Sequence, residues 1–455
     1  MSKTTITFWS GLQTIGGNIA EIRYGNARVI FDFGLVYNPS TSFVHKATGR
    51  SDRYVLDLLK IGAIPAIDGI YAREDLKDNV FNFKKPIAYE DFKMNTGIFI
   101  SHLHLDHMGV IDTVASTIPI YMSNGSKQLY QVLNKINEGL MRERDVTGIN
   151  YQDSIKIGDI IVTPFQTDHD IYGSMAMLIS TPDLKVVYSG DIRMHGQHPE
   201  YNKAWLEKLL DINIDLLLME GTAFHPNLTE KTKIPLVETE TEIAQVIKRE
   251  IINHNRLVLF NIYHRNIDRL NNFIKTGKQC ERTIVLELKT AYIADQFAEV
   301  TDFAIFVPND SKESDWNQNI LEKYPRVTIE QINATPNKYL LQNSFDNIAD
   351  LLDLDVSGSI YLHSNGMPLG EFDPNYQILL SFLKQFQIEY KSFNVSGHAT
   401  QEDILQLIED IKPKLLVPWH SHYPELMKPL DPNQAVFLPR KNKKYFFDNG
   451  QLIEV

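Results

Sequence analysis

The sequence predicts an α/β protein in which a parallel-sheet segment is inserted into a second framework of strands. Three observations lead to this fold class. The N-terminal part consists of short β-rich runs closed by glycine, which are typical of antiparallel hairpins. From about residue 223, strands and amphipathic helices alternate regularly, as in a parallel sheet. No Pro- or Ser-rich linker separates the parts, which favours insertion over successive domains. The predicted segments are 1–222, 223–365 and 366–455, the first and last forming one framework.

The framework elements follow from the side-chain pattern. Runs rich in β-branched and aromatic residues and closed by turn residues predict strands, namely "TTITFWSG", "GGNIAEIRYG", "ARVIFDFG", "GIFISH", "IPIYMS", "IIVTPF" and "VVYSGD". Apolar residues at helical spacing in "GSKQLYQVLNKINEGL" predict a helix between the fifth and sixth of these strands.

The inserted segment and the C-terminal part are predicted in the same way. In the segment, helices alternate with strands in the order "ETEIAQVIKREIINH", "RLVLFN", "RNIDRLNNFIKT", "TIVLEL", "AYIADQFAEV" and "FAIFV", and "GSIYLHSNG" closes it. The chain then continues with helix "NYQILLSFLKQF", strand "EYKSFNVSGH", helix "TQEDILQLIEDI" and strand "KLLVPWHSH".

Composition limits the classes of function. The chain has 455 residues, a formal net charge of −12 and a single cysteine, Cys280. One cysteine excludes an intramolecular disulfide, and "MSKTTITFWSG" lacks the features of a secretory signal, so we expect a cytoplasmic protein. No window resembles a membrane span, so no membrane partner is expected. The acidic balance argues against a broadly basic surface for nucleic acid, so a polyanionic substrate needs local attraction.

The run "ISHLHLDHMG", residues 100–109, predicts a metal site. In extended backbone alternate residues share a face, so His102 and His104 can bind one ion. Asp106 and His107 lie past the turn and can reach a neighbouring ion. We therefore expect two adjacent metal ions at the end of a buried strand.

Four ligands do not complete two sites, and three further candidates each follow a strand-like run, namely His169, Asp191 and His420. Asp191 can bridge two ions because a carboxylate has two oxygens. His422 shares a strand face with His420 and is the alternative for that ligand position. Asp168 and Asp170 flank His169 and can orient an imidazole through its second nitrogen.

These motifs resemble a known family. The segment "SHLHLDHMG", with Asp32 as structural support before it and His169 and Asp191 after it, resembles the metallo-β-lactamase superfamily. Glu220 in "LLLMEGT", His398 in "NVSGHATQEDI" and His420 in "LLVPWHSHYPE" resemble the additional motifs of the β-CASP nucleases, most closely the ribonuclease J branch. The terminal "DNGQLIEV" resembles the closing hairpin of that core.

The resemblance implies an αββα sandwich with a β-CASP insert, and two divalent metal ions. The implied ligands are His102, His104 and His169 for the first ion, Asp106, His107 and His420 for the second, and Asp191 for both. A histidine-rich set suits Zn²⁺, and its carboxylates also accept Mn²⁺.

Three residues are expected to act in catalysis, namely Asp106, His398 and Glu220. His398 precedes a helix whose start, Thr400-x-x-Asp403, reads as a capping box, which fixes its backbone. We expect His398 to donate to the leaving 3′ oxygen, and the resemblance implies that Glu220 holds it as a donor.

Two short loops after strands are candidate phosphate-binding loops. One consists of Ser396, Gly397 and His398, and the other of Ser364, Asn365 and Gly366. Such loops can hold a phosphate through backbone N–H groups, although ordinary turns are the commoner explanation of such runs.

The expected function is a dinuclear metal-dependent ribonuclease that hydrolyses single-stranded RNA, as a 5′-to-3′ exonuclease on 5′-monophosphorylated ends. The alternatives are a DNA nuclease, a thioesterase or lactonase, since the same metal core serves small esters, and a non-catalytic scaffold subunit. Every motif position carries a competent residue, which argues against the scaffold. A homo-oligomer is compatible with the sequence.

Overall fold

The computed structural model describes residues 3–36, 50–77, 83–226, 237–308 and 315–455. The start of the predicted insert includes residues 227–236, which lie outside the described residues.

The strands in these ranges are β1 Thr5–Ser10, β2 Ile19–Tyr24, β3 Ala27–Phe31, β4 Asn95–Phe99, β5 Ile120–Ser123, β6 Thr147–Ile149, β7 Ile155–Ile157, β8 Ile160–Gln166, β9 Met175–Ser180, β10 Lys185–Tyr188, β11 Leu216–Glu220, β12 Val258–Ile262, β13 Thr283–Leu286, β14 Ala304–Phe306, β15 Arg326–Val327, β16 Tyr339–Gln342, β17 Ile360–Ser364, β18 Glu389–Ser392, β19 Leu415–Trp419, β20 Lys444–Asp448 and β21 Gln451–Glu454.

The α-helices in the same ranges are α1 Tyr54–Lys60, α2 Leu105–Met108, α3 Asn124–Lys135, α4 Pro199–Leu209, α5 Glu240–Ile252, α6 Ile267–Gln279, α7 Leu288–Phe297, α8 Asp315–Lys323, α9 Ile329–Ala334, α10 Pro374–Gln385 and α11 Gln401–Ile411. The predicted capping box at the start of α11 is confirmed, with Thr400 and Asp403 exchanging side-chain to backbone hydrogen bonds.

Two sheets form the framework, as the resemblance predicts. The first has the strand order β21-β20-β1-β2-β3-β4-β5-β6 and the second β19-β11-β10-β9-β8-β7. Side chains of both sheets, such as Phe8 and Val417, share one buried cluster, so the sheets pack face to face. Helices cover the outer faces: α3 lies against the first sheet, and α4 and α11 against the second. The αββα sandwich is confirmed.

Pairing across the insertion completes both framework sheets. Strand β19 pairs in parallel with β11, although the whole third sheet separates them in the chain. The C-terminal hairpin β20–β21 joins the first sheet through β1. The predicted closing hairpin is therefore part of the framework.

The third sheet has the order β15-β14-β13-β16-β12-β17-β18, and all its pairings are parallel. Strand β18, at residues 389–392, pairs with β17 and belongs to this sheet. The expected boundary at residue 365 separates these two neighbouring strands. We therefore propose that the inserted segment extends to about residue 393, because main-chain hydrogen bonds join β18 to it.

Across the described ranges, no helix has both the length and the apolar character that crossing a bilayer requires.

Candidate metal centre

The first group of candidate ligands consists of His102, His104 and His169, which come from the ends of β4 and β8. The Nδ1 atom of His104 lies 3.1 Å from Nε2 of His102 and 3.1 Å from Nε2 of His169. Burial lowers the pKa of all three imidazoles, that of His169 to about 4. Three neutral imidazoles thus point their nitrogens at one place.

The second group consists of Asp106, His107, His420 and Asp191. The Nε2 atoms of His107 and His420 are 3.1 Å apart, and Oδ2 of Asp106 is 3.1 Å from Nε2 of His420. Asp191 lies between the two groups: its Oδ2 is 3.1 Å from Nε2 of His107 and 3.7 Å from Nε2 of His102. One carboxylate oxygen therefore faces both groups.

These atoms fit divalent cations. Nδ1 of His107 donates to Asp32, so a neutral His107 directs the lone pair of its Nε2 at Nε2 of His420, where a cation can accept it. Oδ1 of Asp191 is buried and has no hydrogen-bond partner among the described residues, an arrangement that is costly unless a cation satisfies it. The set of imidazoles and carboxylates is one that divalent metal ions prefer. The cluster is a divalent metal site.

Asp32 orients His107 from behind. Its buried carboxylate accepts hydrogen bonds from Nδ1 of His107 at 2.7 Å, from the Tyr188 hydroxyl at 2.5 Å and from the Ser101 backbone N–H at 2.7 Å. A carboxylate on the second nitrogen of a ligating imidazole fixes its tautomer and ring orientation. The structure thus brings Asp32 to the centre, as expected for a supporting residue.

Two further groups orient imidazoles: Thr222 was not predicted, and Gly397 was predicted only as part of a phosphate-binding loop. The carbonyl oxygen of Gly397 accepts from Nδ1 of His169 at 2.5 Å, and the Thr222 hydroxyl lies 2.8 Å from Nδ1 of His420. A backbone carbonyl leaves no mark in the sequence. Thr222 follows Glu220 closely, and this adjacency was the available signal.

His398 and Glu220 form a pair beside the second group. Nδ1 of His398 donates to Oε1 of Glu220 at 3.2 Å, and the same nitrogen lies 3.8 Å from Oδ2 of Asp191. Burial disfavours the charged imidazole, but the Glu220 charge and hydrogen bond outweigh burial and raise the pKa of His398 to about 10. A protonated His398 can therefore serve as a donor.

Two polar groups of the Ser364–Gly366 loop pair within the protein. The buried Ser364 hydroxyl donates to the carbonyl oxygen of Phe393 at 3.1 Å, and the Asn365 N–H donates to Oδ1 of Asn394 at 2.8 Å. A Cβ at Gly366 would meet Oδ1 of Asn261 at 1.9 Å, so the glycine permits close packing. These contacts tie the end of β17 to the segment after β18, and the phosphate-binding role of the loop stays a prediction.

The Ser396–His398 loop is also occupied internally. The Ser396 hydroxyl accepts from the His398 N–H and donates to the His398 carbonyl, each at 3.0 Å. The Ser396 carbonyl accepts from Nε2 of His195 at 3.1 Å. These contacts position Gly397 and His398, and the phosphate-binding role of this loop also stays a prediction.

The two rival histidines at the end of β19 lie in different environments. His420 is buried within the second group, whereas His422 is exposed and none of the metal-cluster contacts described above involves it. Asp170 lies 3.4 Å from His169 and 3.5 Å from His104, while Asp168 pairs with Arg193 at 2.9 Å.

Family models and curated relatives of this chain are metallo-hydrolases and ribonucleases. A family model described as a beta-lactamase superfamily domain matches residues 72–253, and one described as a Zn-dependent metallo-hydrolase RNA specificity domain matches residues 385–428. A ribonuclease J from Helicobacter pylori is 23% identical, over 99% of this chain and 60% of its own length. A ribonuclease J from Pyrococcus abyssi is 22% identical, over 91% of this chain and 90% of its own length.

Among solved structures, a protein of unknown function from Enterococcus faecalis is 30% identical, with a TM-score of 0.80. The match covers 98% of this chain and 100% of that one. The chain spans 60% of the length of the Helicobacter pylori relative.

Replacing His420 by Asn is expected to lower the metal content of the protein, because the second group loses an imidazole. Asn suits this position because His420 has a φ of 50°, a region that Asn tolerates. The matched variant His422→Asn should keep full metal content by elemental analysis. If only the His422→Asn variant lost metal, His422 and not His420 would be the ligand, and the assignment made here would be wrong.

Proposed function

From the membership of this chain in the metallo-β-lactamase superfamily, as a β-CASP protein similar to ribonuclease J, we propose that it is a metal-dependent hydrolase that cleaves phosphodiester bonds in RNA. The observation that carries the proposal is the combination of the two ligand groups around Asp191 with the His398–Glu220 pair beside them. Metal ligands alone would suit many hydrolases, whereas the additional acid suits a poor leaving group such as a ribose oxygen.

We propose two divalent ions, with His102, His104 and His169 on the first, Asp106, His107 and His420 on the second and Asp191 on both. When bound, such a pair lowers the pKa of a shared water and stabilises negative charge on phosphoryl oxygens. Zn²⁺ suits the imidazoles, and Mn²⁺ is the alternative.

The residues of this chain supply the remaining chemistry. Glu220 holds Nδ1 of His398, so the other nitrogen, Nε2, is the proposed donor to the leaving 3′ oxygen. Asp32, Thr222 and Gly397 keep the imidazoles in the orientation that binding requires. This preorganisation avoids rearranging the site during the reaction.

The finer proposal is 5′-to-3′ degradation of single-stranded RNA from a 5′-monophosphorylated end, in the cytoplasm. A net charge of −12 gives little long-range attraction for RNA, so affinity must come from a few phosphates. A terminal monophosphate carries about −1.5 to −2 charges, more than an internal diester, and so rewards local contacts. A homo-oligomer stays compatible with this proposal, and the mass in solution tests it.

A substrate panel tests the proposal. The metal-loaded protein should degrade 5′-monophosphorylated RNA and act more slowly on 5′-hydroxyl RNA and on single-stranded DNA, as followed on sequencing gels of end-labelled substrate. Equal rates on 5′-monophosphorylated and 5′-hydroxyl RNA would contradict the proposed preference for a 5′-monophosphate but would leave the ribonuclease function in place. Hydrolysis of a model thioester without cleavage of RNA would replace the proposed function by a small-ester hydrolase.

Replacing Asp191 by Asn should weaken both ions together, because one carboxylate serves both groups. Metal content by equilibrium dialysis should fall from about two ions to less than one per chain. Retention of two ions in this variant, or saturation of the wild type at one, contradicts the dinuclear assignment.

Replacing His398 by Ala should leave metal content unchanged and lower turnover on RNA by roughly 10²–10⁴, the usual cost of a lost general acid. Glu220→Gln provides the companion variant, which keeps the imidazole and removes the charge that holds its proton. A His398→Ala protein that loses metal would make His398 a ligand, and one that keeps full turnover would exclude it from catalysis.

A further inference from the structure

One edge of the third sheet faces the metal centre. In a parallel sheet the carboxyl ends of neighbouring strands lie side by side, and ligands bind at that edge. Strands β12 and β17 end together, with Ile262 in register with Ser364. The residue after β12 is Tyr263, and its ring lies 5.5 Å from the ring of His104, centroid to centroid. The inserted segment thus places an aromatic side chain against a candidate metal ligand.

The Tyr263 hydroxyl is free. Its ring is partly buried, and the hydroxyl has no hydrogen-bond partner among the residues that the structure describes. The hydroxyl oxygen is not sealed from solvent. A phenolic hydroxyl can donate a hydrogen bond as well as accept one. A protonated phenol at the edge of a metal cluster is a neutral hydrogen-bond donor.

The arginine and lysine side chains near this edge are already paired with carboxylates. Arg265 and Lys289 both lie 3.3 Å from the Glu138 carboxylate. Arg193 and Arg269 share Glu240, at 3.1 Å and 2.5 Å. None of these four cations is available to meet new negative charge without breaking a pair. A neutral donor can therefore help the metal ions to stabilise charge that develops on a phosphoryl group without breaking these pairs.

His398 lies against other rings of the cluster than Tyr263 does. Its ring lies 5.3 Å from His169 and 5.5 Å from His420, whereas Tyr263 contacts His104. A phosphodiester that met His398 at its leaving oxygen would still present non-bridging oxygens, which can accept from a second donor.

We propose that Tyr263 is a catalytic residue whose hydroxyl donates a hydrogen bond to a non-bridging oxygen of the scissile phosphodiester, without transferring its proton. This inference rests on the proposed nuclease function. It assigns to the inserted segment a direct part in the reaction, since the donor comes from that segment and the metal ligands come from the framework.

The variant Tyr263→Phe tests the proposal, because it removes the hydroxyl and keeps the ring against His104. Turnover on RNA should fall roughly 10²-fold, as for the loss of one oxyanion-type donor, with the loss in kcat rather than in KM. Metal content and thermal midpoint should equal those of the wild type. Tyr292→Phe is the matched control, since Tyr292 lies on the same segment with its ring 5.8 Å from that of Trp316, and it should retain full turnover.

A second measurement separates hydrogen bonding from folding. Each phosphorothioate stereoisomer replaces one non-bridging oxygen by sulfur, a poorer acceptor. For one isomer, the ratio of oxygen to sulfur rates should be smaller in Tyr263→Phe than in the wild type, because the contact is already lost.

The outcomes distinguish the two proposals. A wild type that does not cleave RNA removes the proposed function. A wild type that cleaves RNA, together with full turnover in Tyr263→Phe, loss of metal in that variant, or identical sulfur ratios in both proteins, overturns the role of Tyr263 alone.

Discussion

The buried carboxylate of Asp32 is the interaction on which the metal centre depends. Asp32 directly follows β3 and has a φ of 54°. Its carboxylate accepts hydrogen bonds from the backbone N–H of Ser101 after β4, from His107 and from Tyr188 at the end of β10. One carboxylate thus joins both framework sheets to a ligand. Without it, several buried donors would lose their partner, at a cost of about 1–3 kcal/mol each. The same carboxylate therefore holds the two sheets together at this point and fixes the position of the ligand His107.

A second buried network connects the inserted segment to this centre. Asp168 pairs with Arg193, Arg193 with Glu240, and Glu240 with Arg269, and these side chains are at most 1% exposed. Charges alternate along the chain of contacts, so each ion is compensated. Removing one partner from such a network typically costs about 3–5 kcal/mol, because an uncompensated charge stays buried. Arg269 also donates to Oδ1 of Asn365 at 3.1 Å, which extends the network to the loop beyond β17.

Local patterns predicted most of the secondary structure. The alternation of strands and helices between 240 and 364 appears as β12 to β17 with their helices, and the Thr400 capping box starts α11. These features depend on neighbours in sequence, where periodicity and capping act directly. The strand "EYKSFNVSGH" was predicted too long, since β18 ends at Ser392 and the following polar atoms pair with the Ser364–Gly366 loop instead.

By itself, the sequence determined the residue types and spacing at "SHLHLDHMG", the insertion of a parallel sheet, and His169, Asp191, His398 and His420 as candidates. Only the tertiary structure decided which of their atoms meet. His107 and His420 face each other across 313 residues of chain, and the carbonyl of Gly397 orients His169 across 228 residues. Such contacts have no periodicity and can use backbone atoms that every residue carries. They arise when strand ends and loops from both sheets and the insert are brought to one edge, so the roles of Thr222, Arg269 and Tyr263 became visible only in the folded chain.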